Sequence, residues 1–371
     1  MHNSNDDFYN KVNKEYDASK YFEEVIIKIR YIVRRKTEEE KDYRFYKILN
    51  LEIESENSEI ADELKEFIKD CNKKLKSENM YNGGDWQLFY LYKELIQFFT
   101  SDSFQDSCNY FRGQSHEYPL LPGILRKNVQ NDYRQRFEYL YKRVANEFPE
   151  KISYFPLDTD NMGDREEQLA LLQHYGLKTS LLDITKNPYI ALLFMLSGLS
   201  HINQKCSPSL FFFKIDDEKH REKHLFTEVK KDRINERIIA QKGAFLNFDK
   251  IDSIKSYDIK KIKTYKIVLE YDEHFHKKSL REDIKRIEEL LSMTQTNYTE
   301  LGEYKQELEK KLSNSDYEIL ECLRHICEEL IKKLKEYHYF KEDLFPDFER
   351  KIQYLAQHYE ATTRKTLGLD N

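Results

Sequence analysis

The sequence predicts an α+β fold: a small mixed or antiparallel sheet carrying the motifs, wrapped by N-terminal helices and a long C-terminal helical hairpin. Three observations carry this. Short apolar segments bounded by turn residues, at 108–114, 179–184, 210–215 and 265–271, read as strands. Segments with apolar residues three and four apart precede and separate them, as amphipathic helices require. Beyond Lys277 the same loose spacing continues through a Lys/Glu-rich stretch.

Taken in order, residues 16–80 read as helices. Tyr21, Val25, Ile29 and Ile32 fall on one stripe, and Asn57-Ser58 starts a second helix with Ile60, Leu64, Phe67 and Ile68 on one face. Asn82-Gly83-Gly84 breaks the chain. Asp85 caps a third helix in which Trp86, Phe89, Tyr90, Tyr92, Leu95 and Phe98 predict burial on more than one side. After the strand at 108–114, Pro119–Arg126 is a rigid turn, and Phe137, Leu140, Tyr141 and Val144 mark a helix over Asp132–Glu147. Asp164 caps a helix to His174, with Gly176 as its stop. Asn187-Pro188 is a strong helix start, with Asn as cap and Pro in the first helical position. The helix that follows, Tyr189–Leu196, has no polar face and is expected to be deeply buried. Arg237–Gln241, Lys242-Gly243 and Ala244–Phe248 read as a hairpin with a glycine turn. The expected domains are a helical region (1–104), an α+β core (105–276), a helical hairpin insertion (277–340) and a closing segment with the tail (341–371).

The 371 residues suffice for one large domain with insertions or for two domains. Charged residues make up 35% and the net charge is −6, which implies long exposed helices and no whole-chain attraction to nucleic acid. Cys71, Cys108, Cys206, Cys322 and Cys327 are scattered and odd in number, with no zinc-finger spacing. The expected setting is therefore a reducing cytoplasm, with no metal site. The opening residues lack the apolar stretch of a signal peptide, and Tyr189–Leu196 is too short an apolar run to cross a bilayer, so no membrane role is expected. No glycine-rich phosphate loop, nucleophile elbow or dinucleotide fingerprint occurs. That argues against a kinase, an NTPase, a common hydrolase or a dehydrogenase.

Two blocks stand apart from their charged surroundings: Tyr110-Phe111-Arg112-Gly113-Gln114, and Leu169–Phe194 with its LLDITKNP centre. Together with YPLLPGILR, NERIIAQKGAF and LFPDF, in that order over residues 110 to about 348, they resemble the FRG domain family. Lys178, Ser180 and Ile184 stand where Pro, Arg and Trp are common in that family. The resemblance implies a bacterial or phage-related protein with a defence role, and it names no reaction.

The order of motifs is also similar, more distantly, to that of ADP-ribosyltransferases. This similarity implies NAD as a substrate. Arg112 takes the first place, where such enzymes hold NAD, and Asp183 and Thr185 take the second. The third, catalytic place falls to Glu236 or Gln241, although an ungapped count back from Gly243 puts Arg237 there.

The residues themselves leave alternatives open. Arg112 is planar, charged and suited to phosphate, with Gly113 allowing close backbone approach, or else it is a structural cation paired with Asp183 or another buried acid. Asp183 and Thr185 share one strand face before a helix start, where ligands are held or helices are capped. His174 suits a helix C-terminus or a general base. His220, His224, His274 and His276 sit among charges and read as surface residues. Three functions follow: an NAD-using transferase or glycohydrolase binding a nucleotide; a ligand-sensing or protein-binding module, with partner recruitment or self-association through 280–340; and a nucleic-acid processor, for which Lys260-Lys261 and Lys332-Lys333 are the only hints.

Overall fold

The computed structural model describes residues 8–33, 45–54, 61–76, 88–158, 160–197, 199, 206–229, 236–251, 259–293, 299–313, 315–346, 352 and 356. The expected features at Asn57-Ser58, Asn82-Gly83-Gly84, Asp85-Trp86 and Phe348 lie outside these residues, as does nearly all of the tail.

The elements are α1 (Phe8–Glu15), β1 (Phe22–Val33), β2 (Tyr46–Glu54), α2 (Asp62–Lys76), α3 (Leu88–Phe99), β3 (Tyr110–Gln114), α4 (Asn131–Glu147), α5 (Met162–His174), β4 (Leu181–Thr185), α6 (Pro188–Ser197), β5 (Ser209–Lys214), α7 (Asp217–Lys223), β6 (Phe226–Thr227), α8 (Glu236–Ala240), β7 (Gly243–Asn247), β8 (Ile262–Tyr271), α9 (Glu273–Met293), α10 (Thr299–Ser313) and α11 (Ser315–Glu336). Among the described residues, one mixed sheet of eight strands runs in the order β2-β1-β8-β5-β3-β4-β7-β6. The α+β class is as the sequence predicts, although the sheet is larger than expected.

The added strands come from the N-terminal region. Residues 22–33 form a strand, where a helix is expected from Tyr21, Val25, Ile29 and Ile32. A spacing of four satisfies a period of two as well as one of 3.6, so positions 25 and 29 share a face in either conformation. The density of β-branched residues favours the strand. Val25, Ile27, Ile29 and Tyr31 are buried in alternation. On the opposite face Lys28 bridges Glu54 (2.7 Å) and Glu270 (3.2 Å), and Arg30 bridges Glu52 (3.1 Å) and Glu270 (3.3 Å). β1 pairs antiparallel with β2 and parallel with β8, so its backbone is satisfied on both sides.

Two apolar cores cover the two sheet faces, and successive residues of β5 show the division. Leu210 and Phe212 enter one core with α2, α3, α6 and α11; Phe211 and Phe213 enter the other with α1, α4 and α5. A cation stands inside the second. Arg165, fully buried, donates to Asp249 (2.7 Å), Glu138 (2.6 Å), the Phe155 carbonyl (2.7 Å) and the Tyr9 hydroxyl (3.0 Å). That set of acceptors is what lets a charge persist there.

Several local expectations need correction. Residues 236–240 form a helical turn, not the first arm of a hairpin. The turn ends at Lys242, whose φ is 48°. Asn161, not Asp164, is the N-cap of α5; Asp164 lies in its first turn, where its charge complements the helix dipole. His220, His224 and His276 are buried rather than superficial. His224 Nε2 donates to the Tyr21 carbonyl (2.7 Å), and His220 Nδ1 accepts from the Asp216 amide (2.8 Å). Among the described residues, the stretch 277–340 expected as a helical hairpin holds the helices α9, α10 and α11. α9 and α10 pair over a small core of Leu280, Ile287 and Leu308, whereas α11 joins the main core through Ile319, Leu323, Ile326 and Leu330. Among the described residues no helix is long and apolar enough to cross a membrane.

Candidate functional site

β3 and β4 carry the two motif blocks, and a single residue pair, Phe111 with Thr185, joins them. On its other edge β3 pairs with β5 along its whole length, and β4 pairs likewise with β7. A cavity of about 310 Å³ lies against β3 and β4, with α5 and α8 contributing to its walls. That size falls within the ordinary range for small-ligand sites.

Alternation along β3 fixes what each motif residue does. Tyr110 and Phe111 point into opposite cores. Gly113 shares the face of Phe111 and meets α6. A Cβ there would lie 1.8 Å from the Ala191 carbonyl oxygen and 2.6 Å from the Met195 amide nitrogen. The close approach that this glycine permits is therefore of a helix to a strand.

Arg112 takes the other face and lines the cavity. Its Nη1 donates to the Asp183 carbonyl oxygen. The buried Gln114 amide, turned to satisfy both its atoms, accepts from Arg112 Nε (3.2 Å) and donates to the Tyr118 carbonyl (3.0 Å). The guanidinium is thus oriented by neutral acceptors rather than closed in an ion pair with the Asp183 carboxylate. Burial lowers its pKa to about 10; the Asp183 charge opposes that fall and nearby Arg126 adds to it. At neutral pH it remains a cation, half-buried and incompletely compensated.

Asp183 is exposed on the cavity wall. Its Oδ1 accepts from Gln173 Nε2 (2.7 Å), and Gln173 Oε1 accepts in turn from the Thr179 hydroxyl. This relay from α5 fixes the carboxylate. Thr185 serves the fold: its hydroxyl donates to the Gln241 carbonyl (2.7 Å) and accepts from the Asn187 amide (3.0 Å). Asn187 then caps α6 as expected, its Oδ1 accepting from the amides of Tyr189 (2.9 Å) and Ile190 (3.3 Å).

The cavity also gathers His174, from the last turn of α5, and Gln241. The Gln241 side chain donates to the Leu344 carbonyl (3.0 Å), which ties the cavity to the closing segment. Glu236 is exposed at the start of α8 and does not line the cavity; Arg237 does. The ungapped count back from Gly243 thus matches the geometry better than the count that would supply a carboxylate. The Arg237 guanidinium lies 4.6 Å from the centre of the Phe345 ring.

Tyr118, Arg126 and Gln173 also line the cavity and have no role in the motif reading. Tyr118 and Arg126 are the two ends of the YPLLPGILR stretch and Gln173 lies in the Leu169–Phe194 block, but nothing in their sequence setting gives any of them a site role. The resulting wall carries three guanidinium groups, from Arg112, Arg126 and Arg237, beside one carboxylate, Asp183, with Phe194, Ile238 and Phe245 as apolar surface. Such a wall suits an anion with an attached flat or apolar group.

Residues 107–204 match the family model of the FRG domain. No curated protein and no solved structure matches the chain.

Proposed function

This chain carries an FRG domain, and from that premise we propose that it binds a nucleotide in the cavity against β3 and β4. The observation that carries the reading is the convergence of Arg112, Arg126 and Arg237 with Asp183 on one small wall. Arg112 holds phosphate oxygens; its neutral acceptors orient it and leave its charge for a ligand. Asp183, held by Gln173, accepts from ribose hydroxyls. The apolar wall takes the base. Of the two candidates for the third motif place, Gln241 lines the cavity and Glu236 does not, which favours binding over NAD cleavage.

Calorimetric titration of the full chain with AMP, ADP, ATP and NAD, against the Arg112→Ala variant, tests this. At least one nucleotide should bind the wild type, with affinity reduced about tenfold or more in the variant, the scale of a lost charge-assisted contact. No binding of any of the four to folded protein would sink the reading. Release of nicotinamide from NAD by the wild type but not by Asp183→Asn would make the site an enzyme instead.

A further inference from the structure

The composition of the wall says more about the ligand than that it is a nucleotide. Three guanidinium groups share it with one carboxylate, and that carboxylate is already engaged by Gln173. Arg112 and Arg126 lie close enough for the charge of one to disfavour the charge of the other. Like charges held together in a partly desolvated wall are costly, and a bound anion relieves that cost. Arg237 extends the basic surface from α8, its guanidinium packed on Phe345, which limits where the fork can point.

We infer that the cavity selects nucleoside 5′-diphosphates or triphosphates, whose last phosphate is a free end, over dinucleotides such as NAD. The inference rests on the nucleotide reading above. The terminal phosphate of such a nucleotide, joined to the chain through a single anhydride oxygen, ionises a second time with a pKa of about 6 and offers three acceptor oxygens. Guanidinium forks match that geometry bidentately. In NAD both phosphates are internal, each bonded through one ester and one anhydride oxygen and carrying one charge, and the oxidised nicotinamide ring is itself a cation. The charges of Arg112 and Arg126 repel that ring. They likewise oppose the cationic sugar that forms when the nicotinamide bond breaks, so the same groups that favour a phosphate end disfavour NAD cleavage. Arg126, exposed and held among the described residues by a long contact from Nε to the Leu121 carbonyl (3.5 Å), is placed to close on the outer phosphate.

The test is titration of the full-length protein with ADP, ATP, NAD and inorganic pyrophosphate, repeated with Arg237→Gln and Arg126→Gln. The ADP or ATP affinity should exceed that for NAD by about tenfold or more. Each variant should shrink that ratio, weakening ADP binding more than NAD binding, and added salt should weaken ADP binding more steeply. Circular dichroism of both variants checks that the fold survives, and either variant alone suffices. NAD binding as tightly as ADP, or a ratio unchanged in both variants, overturns the inference and leaves the nucleotide reading standing. Pyrophosphate binding as tightly as ADP overturns the nucleoside part, since phosphate alone would then be the ligand. Failure of every compound to bind overturns both.

Discussion

Gly113 and Ala191 approach so closely that a methyl group on the glycine would lie 1.8 Å from the alanine carbonyl oxygen. The obstruction is helix backbone, which cannot swing aside as a side-chain tip can. Arg112 precedes this glycine, so the same contact that seats β3 on α6 sets the height of the guanidinium in the cavity.

Gly113→Ala should therefore destabilise the protein by about 1–3 kcal/mol or more, the usual scale of overpacking. Urea unfolding followed by circular dichroism measures it. Ligand affinity should fall in the same variant, because β3 must lift away from α6. An unchanged midpoint would mean that the contact yields at little cost.

Arg112→Lys keeps the charge but not the fork. A lysine cannot reach the Asp183 carbonyl and the Gln114 amide oxygen together and still present donors to a phosphate. Nucleotide affinity is expected to fall about tenfold with little change in unfolding free energy. Titration and unfolding of one preparation separate the two effects.

Arg165→Met should cost about 3–5 kcal/mol, because it strands the buried carboxylates of Glu138 and Asp249 without their cation. The double variant Glu138→Gln with Asp249→Asn should recover part of that loss on the Arg165→Met background. Chemical unfolding of the three proteins gives the comparison. No recovery would show that the lost packing, and not the stranded charge, sets the cost.

Burial holds the His224 imidazole down to about 3, below its ordinary value near 6.5, and burial also lowers His220. Between those values the unfolded chain binds a proton that the folded protein does not, so stability rises with pH through this window. The stability these groups contribute is present above about pH 6.5 and is lost as pH falls toward 3. The slope from His224 is at most about 1.4 kcal/mol per pH unit. His224→Asn should flatten the fall in unfolding free energy between pH 6.5 and 4; an equally steep fall would assign it to other groups.

The elements legible in the sequence are those with local punctuation. Asn187-Pro188 marks the start of α6 because an Asn side chain and a proline ring act within one turn. Gly176 ends α5 because its φ of 96° suits glycine. β1 reads as a helix because its hydrophobic spacing fits two periods, and the choice between them is made by β8, far along the chain. His220 and His224 look superficial because their neighbours in sequence are charged, whereas their neighbours in space are each other and the rings of Tyr21 and Phe22. In the cavity, Arg112 and Asp183 are legible as unusual residues in apolar strands. Arg126 and Gln173 are not, since an Arg after a turn and a Gln on a helix have many ordinary uses.

The pairing of β1 with β8 also bears on the order in which the molecule can be completed. A chain made from its N-terminus presents one long apolar strand early, and the strand that covers its second edge emerges only at residues 262–271. β3 likewise waits for β5, and β4 waits for β7, each made after the matched stretch 107–204 ends. The matched segment thus does not complete its own sheet. Excised at its matched limits, it would leave the ribosome with open strand edges, a partner for any other unpaired strand it met.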